Sequence, residues 1–217
     1  MFSTLVIDAH PDAESLSAAI ARSYAAGHGN ARLLPLRDLS FDPHMRFGYR
    51  KRMEIEPDLQ DAREALHLAK RIVVVSPMWW GSVPALLKGF FDRALLPRQE
   101  YVYSDRGLPR GLLRGRSGRL FLLADTPAIA LPVIGTHAAA QVGRHTLKFC
   151  GVRPFRTHRL LGVKHRSPEQ LERWIAQAAR IGARDRRGDD ARPAPPAPQT
   201  TPARRAAVTA VSATGAS

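Results

Sequence analysis

The chain is predicted to fold as a doubly wound α/β domain, a mainly parallel sheet covered by helices on both faces. Strand-like runs alternate with helix-period segments along the chain, the order that builds parallel crossovers. The strongest run, Ile72-Val73-Val74-Val75, is apolar at every position, as in a strand buried on both faces. Met78, Trp79, Trp80 and Gly81 then gather on the loop leaving the carboxyl end of that strand, where open α/β sheets bind their ligands.

Thr4 to Ile7 forms the first strand, and Asp8 to Glu14 a polar turn. Ser15 can cap a helix bearing Leu16, Ala19, Ile20 and Tyr24, which Gly27 to Asn30 should end. Leu33 to Leu36 reads as a short second strand, sent to a sheet edge by Pro35, which has no amide hydrogen to give. Residues 37–57 make a long polar connection containing Phe41-Asp42-Pro43 and Arg50-Lys51-Arg52. Connections of that length in a compact domain are usually functional or mobile. Asp58 to Lys70 has helical periodicity, with Leu59, Ala62, Ala65, Leu66 and Ala69 on one face.

Ser76-Pro77 is expected to break the central strand. Pro84 starts the next helix, in which Leu86, Leu87, Phe90, Phe91, Ala94 and Leu95 recur at helical spacing. Residues 97–118 read as a surface excursion without a regular element. Leu120 to Leu123 is another buried strand, His137 to Phe149 a helix stopped by Gly151, and Val152 to Leu161 a final strand near the edge. Ser167-Pro168-Glu169-Gln170 starts the last helix, which should reach about Gly182. Five prolines and almost no large apolar residue from Asp185 onwards divide the chain into a domain, 1–184, and a disordered Pro/Ala-rich tail, 185–217.

The 217 residues suffice for one α/β domain with a sizeable core. No apolar run approaches the roughly 20 residues that span a bilayer, so no membrane insertion is expected. The first residues lack the basic region of a signal peptide. A lone Cys150 excludes an internal disulfide. A cytoplasmic location follows as the expectation. The formal charge of +14 raises the question of nucleic acid. The cations are scattered, however, with local concentrations at Arg46–Arg52 and Arg106–Arg119, so no nucleic-acid partner is expected and an anionic cofactor or substrate is the better use.

Two stretches carry candidate chemistry. Trp79 and Trp80 are adjacent and cannot easily enter one core, so they suit an aromatic wall for a flat ligand; packing is the alternative. The turn after the first strand leads into a helix amino terminus, which favours phosphate, with His10, Ser15 and Ser17 around it. Taken alone, His10 serves equally as a structural histidine and Ser15 as a plain cap. Neither GxGxxG nor GxxxxGK[ST] is present, so the dinucleotide and nucleoside-triphosphate loops are absent.

Ala9-His10-Pro11 with Ser15-Leu16-Ser17, the segment Pro77 to Arg93, Phe149-Cys150-Gly151 and Phe41-Asp42-Pro43 together resemble the flavodoxin-like NAD(P)H:quinone oxidoreductases over residues 3–183. The segment Pro77 to Arg93 is the specific one. The resemblance implies a flavodoxin-like sheet of five parallel strands in the order 2-1-3-4-5, bound FMN or FAD, NAD(P)H as reductant and a homodimer with the flavin near the subunit boundary. It implies that His10, Ser15, Leu16 and Ser17 hold the phosphate end of the flavin. Pro77, Met78, Trp79, Trp80 and Gly81 would lie along the ring, and Asp125 and Thr126 would face it. Better-known members carry Thr-Thr-Gly-Gly where this chain has Ala124-Asp125-Thr126-Pro127. Their catalytic tyrosine and histidine have no clear counterpart, His137 being a loose candidate, so no catalytic side chain is assigned.

The activity implied is two-electron transfer from NAD(P)H to a quinone or similar small-molecule acceptor. A flavoprotein acting as a regulatory or ancillary subunit, for example of a potassium-efflux system, is the alternative. Ala9-His10-Pro11-Asp12 followed by Glu14 also resembles the AHPDDE signature of zinc-dependent N-deacetylases. Ala13 stands at a metal-ligand position of that signature and no HxxH pair is present, so no metal is expected.

Overall fold

The computed structural model describes residues 2–127, 129 and 137–196. Five strands form the main sheet: β1 (Thr4–Asp8), β2 (Ala31–Pro35), β3 (Arg71–Pro77), β6 (Ser117–Ala124) and β7 (Phe155–Leu161). They lie in the order β2-β1-β3-β6-β7, every pair parallel, which is the expected 2-1-3-4-5 arrangement. Every residue of β1, β3 and β6 is buried, as central strands covered on both faces require. β2, with Pro35, and the basic β7 take the two edges.

The helices are α1 (Leu16–His28), α2 (Pro57–Leu68), α3 (Ala85–Ala94), α4 (His137–Ala140, continuing as a π-helical turn over Gln141–Leu147) and α5 (Pro168–Asp190). They divide the core between the sheet faces. Leu5, Ile7, Ile72 and Val74 point to α2 and α3 residues such as Leu66 and Phe90. Val6, Val73, Val75 and Phe121 point to Ile20 and Tyr24 of α1 and Ala178 and Ile181 of α5. The alternation along each strand makes this division.

Four expectations are corrected. Ser76-Pro77 does not break β3, because Ser76 and Pro77 pair with Leu122 and Leu123. Met78 N donates to Leu123 O at 2.7 Å, so the Pro77 nitrogen, on the alternate side, faces the β1 edge beyond that strand's last pair, Asp8–Val75. Its missing hydrogen costs the sheet nothing there. The 97–118 excursion contains a small antiparallel hairpin, β4 (Tyr101–Tyr103) and β5 (Pro109–Gly111).

α1 ends within the expected Gly27–Asn30 stretch, whereas Gly182 does not end α5. α1 stops one residue beyond His28, at Gly29 with φ 71°, a left-handed cap that suits glycine. Gly27 and Gly182 lie instead where α1 and α5 cross. A Cβ on Gly27 would sit 2.2 Å from Ala179 O, and one on Gly182 2.3 Å from Tyr24 O.

The boundary expected at Arg184 is also displaced. α5 runs on to Asp190, with Asp185 and Asp189 buried. Proline content masked this, since the first proline after the helix is Pro193 and the six residues from Asp185 to Asp190 contain none. Residues 197–217 of the expected tail lie outside the described residues.

Candidate functional site

The site is built at the carboxyl edge of β1, β3 and β6. Asp8, the last residue of β1, is buried and pairs with Arg37 Nη1 at 2.5 Å. Its other oxygen accepts from His10 N at 3.2 Å, and Arg37 also donates to His10 O at 3.2 Å. This pair fixes the backbone of the first loop. His10 Nδ1 accepts from Asp12 N at 3.0 Å, so a neutral His10 carries its proton on Nε2 and presents it as a donor.

Ser15 is the cap of α1. Its hydroxyl donates to Asp12 O at 2.8 Å and accepts from Ala18 N at 3.2 Å. Ser15 is therefore occupied in shaping the loop. The first-turn amides of Leu16 and Ser17 have no acceptor among the described residues, and the Ser17 hydroxyl, on a residue only 2% exposed, has none either. These three donors leave the helix terminus free to receive an anion.

The second loop departs from β3. Trp79 and Ser82 exchange two backbone hydrogen bonds of 2.9 Å around Trp80 at φ 53° and Gly81 at φ 73°. Positive φ at both central residues suits a type I′ turn, whose usual occupants are Asn, Asp and Gly. Trp80 is a genuine outlier there, and such strain collects at ligand sites. Its indole is fully exposed, and that of Trp79 nearly half. The amides of Met78 and Trp79 are used by Leu123 O and Ser82 O, whereas those of Trp80 and Gly81 have no acceptor among the described residues.

The His10 and Trp79 rings meet edge to face, with centroids 5.5 Å apart and planes at 77°, so the first and second loops are in contact. The second loop is also tied to α4: Ala138 N donates to Gly81 O at 2.9 Å, and Ser82 Oγ donates to Gln141 Oε1 at 2.9 Å. π-helical turns such as the one at Gln141 recur at functional positions. In the third loop, Asp125 Oδ1 accepts from Lys164 N at 3.0 Å, which engages that carboxylate with the segment after β7. Thr126 is half-buried beside it, and His137 is exposed at the start of α4. Among the described residues, no hydrogen bond or ring pair joins these three to the His10–Trp79 pair.

The Asp8–Arg37 pair, Ser82 and Gln141 were not singled out from sequence. Only Asp8 left a signal there, as a charge on the end of an otherwise apolar strand. Cys150 is buried, and its thiol is pushed up to about 12 by burial and by Glu100, so it offers no nucleophile at neutral pH. Among the described residues no three His, Cys, Asp or Glu side chains gather as a metal site. A cavity of about 330 Å³ lined by Met45, Tyr49, Met53 and Leu96 shares no residue with the loops just described.

A doubly wound sheet in this order, with an anion-favouring helix terminus beside an aromatic loop at the carboxyl ends of adjacent strands, defines a flavodoxin-like α/β protein. The chain belongs to the flavodoxin-like fold family, whose profile matches residues 3–183. Among solved structures, Smu.1420 from Streptococcus mutans UA159 superposes with a TM-score of 0.76 at 24% identity, covering 84% of this chain and 100% of that one. An FMN-dependent NADH-azoreductase from Bacillus anthracis, solved with FMN, gives 0.65 at 20% identity, over 85% and 99% of the two chains. Those likenesses establish the fold. The rat NAD(P)H dehydrogenase (quinone) 1 is 27% identical over 141 residues, 57% of this chain and 48% of its own length. The matched stretch thus spans about half of that relative.

The residues present fit a flavin with a phosphate end. The donors of the α1 terminus, the amides of Trp80 and Gly81 that lack an acceptor among the described residues, and the uncovered indoles are of the three kinds of contact such a group needs.

Proposed function

We propose that this chain is an NAD(P)H-dependent flavin oxidoreductase that passes two electrons to a quinone or similar small acceptor. The observation that carries this reading is the Trp79-Trp80-Gly81-Ser82 turn. It holds the Trp80 indole in solvent on a strained backbone, while the neighbouring Trp79 ring meets His10 of the first loop. A core residue has no need of that conformation. A wall for a flat ligand does.

FMN is the cofactor favoured by the single phosphate cradle, and the azoreductase that shares this fold was solved with FMN. Bound flavin supplies the two-electron chemistry. The chain binds and orients it. Leu16 N, Ser17 N and the Ser17 hydroxyl hold the phosphate, while Asp8 and Arg37 keep the first loop in place. Trp79 and Trp80 flank the ring and exclude water from one side. The amides of Trp80 and Gly81 offer hydrogens to negative charge on the ring, a preorganised contribution that requires no rearrangement. Pro77 and Met78 lie at the end of β3, and Asp125 and Thr126, on the loop after β6, would face the ring. A second copy of the chain would cover the exposed face of Trp80, giving the homodimer.

Reconstitution with FMN tests this. The protein should retain flavin absorbance after desalting and oxidise NADH or NADPH with a quinone, azo dye or nitroaromatic as acceptor. Absence of retained flavin, or flavin retention without turnover across that panel, would overturn the reading.

A further inference from the structure

We propose that the end of the domain opposite the Trp79–Trp80 loop carries a second site, which binds a small anion bearing several phosphate groups. An open groove of about 800 Å³ lies there, lined by Arg110, Arg114, Arg144, Lys148, Arg153 and Phe149 together with glycines 111, 115 and 151. Arg114 precedes β6 and Arg153 precedes β7, so the groove sits at the amino ends of strands whose carboxyl ends face the flavin site. The eight-residue β6 separates the two by roughly 25 Å, at about 3.3 Å per residue.

Five cations from three segments converge, and none forms an ion pair among the described residues. Arg144 and Lys148 also lie four residues apart on one helical face, where like charges are mutually destabilising. Placement near a helix carboxyl end compensates those two. It does nothing for Arg110, Arg114 or Arg153. Beneath them Arg116 is fully buried, donating only to the carbonyls of Leu66, His67 and Arg114, and burial pushes it down to about 10. The nearby buried carboxylate, Glu100, is already held by Arg63 at 3.2 Å, His67 at 3.0 Å and Leu96 N at 2.7 Å. Among the described residues no acid neutralises the groove.

The floor is rigid. Leu113 N donates to Cys150 O at 2.7 Å and Arg153 N to Arg116 O at 2.8 Å. A Cβ on Gly111 would lie 2.1 Å from Cys150 C, so the hairpin and the segment after α4 are in backbone contact. Planar guanidinium groups recognise phosphate oxygens in pairs, and the volume matches a small-molecule site rather than a track for a polymer. An inorganic polyphosphate and the phosphates of a nucleotide share this chemistry.

Calorimetric titration of the purified chain with inorganic triphosphate, ATP and sulfate at matched ionic strength tests the proposal. One triphosphate should bind per chain, with sulfate weaker by about tenfold or more. The double variants Arg144→Ser/Lys148→Ser and Arg110→Ser/Arg153→Ser should each lose about tenfold in triphosphate affinity while the melting temperature holds. ATP tighter than triphosphate identifies a nucleotide as occupant, and equal affinity identifies the phosphates alone; both support the site. Sulfate binding as well as triphosphate, or affinity unchanged in both variants, overturns it. So does tight binding of a single-stranded oligonucleotide that triphosphate fails to displace. None of these readouts depends on flavin or turnover.

Discussion

Arg71 and Asp189 meet in a two-pronged ion pair beneath the sheet, Nε to Oδ2 at 3.1 Å and Nη2 to Oδ1 at 2.7 Å. Arg119 grips Asp185 in the same way, at 2.7 and 2.8 Å. Tyr24 donates to Asp185 at 2.8 Å, and Thr4 donates to Asp189 at 2.7 Å. The last turns of α5 are thereby fastened to β1, β3, β6 and α1. Buried charges persist only when so paired.

Truncation after Arg184, which composition alone marks as harmless, should therefore destabilise the domain strongly. It strands Arg71 and Arg119, and removing one side of a buried pair typically costs about 3–5 kcal/mol. Truncation after Pro196 removes none of these contacts and should leave the melting temperature unchanged. Equal melting temperatures for both truncations would show that the two aspartates are dispensable.

Acid should release the same clamp. Burial pushes the Asp189 carboxyl up, but hydrogen bonds from His28, Arg71 and Thr4 and the Arg71 charge outweigh it and hold the group at about 2, below its ordinary 3.8. A depressed carboxylate stabilises the fold above its unfolded pKa and loses that contribution as pH falls from about 4 through about 2. The shift corresponds to about 2 kcal/mol. Asp189→Asn should be less stable than the parent at pH 7, and the gap should narrow below pH 3. Denaturant unfolding at several pH values measures it, and a pH-independent gap would remove the carboxylate's charge from the account.

The crossing of α1 and α5 predicts opposite outcomes for two glycines on one helix. Gly182→Ala drives a methyl into Tyr24 O at 2.3 Å, and both partners are backbone, so the loss should reach about 3 kcal/mol. Gly188 is exposed, and its nearest neighbour, Arg71 Nη2, lies at 3.8 Å. Gly188→Ala should gain about 0.5–1 kcal/mol from helix propensity. Thermal unfolding of the two variants should move in opposite directions.

The glycines at the α1–α5 crossing, Gly27 and Gly182, also show what sequence makes legible. Strand existence, strand order and the helix start at Ser167-Pro168 come from local signals: β-branched runs, family resemblance in Pro77 to Arg93, and a proline at the first helical position. Gly27 and Gly182 carry the same local signal as a helix end, yet their use is set by a neighbour some 150 residues away in the chain. Asp185 and Asp189 read as solvated tail charges for the same reason, because their arginine partners lie on β3 and β6. The basic groove is hidden likewise, its five cations coming from separate segments that look scattered in one dimension. In the site, His10 and Trp79 were legible from their loops. The unusual backbone of Trp80 was not, since nothing in Trp-Trp-Gly announces a turn that prefers Asn or Asp.

That backbone gives the sharpest test of the site. Trp80 sits at φ 53° with its side chain fully exposed, so its indole adds nothing to the core, and an L-residue in the left-handed region costs roughly 1–2 kcal/mol. Asparagine tolerates that region and is preferred in type I′ turns. Trp80→Asn should therefore raise the stability of the flavin-free chain by about 0.5–1 kcal/mol while weakening FMN or acceptor binding by about tenfold. Trp80→Ala should weaken binding similarly without the gain in stability, because alanine keeps the strained conformation. A chain stabilised by asparagine with flavin and acceptor affinity intact would leave the turn strained for no ligand. One destabilised by asparagine would mean that the indole packs against something in solution, such as a second copy of the chain. The decisive pair of measurements is the melting temperature without FMN and the flavin dissociation constant, made on the same three proteins.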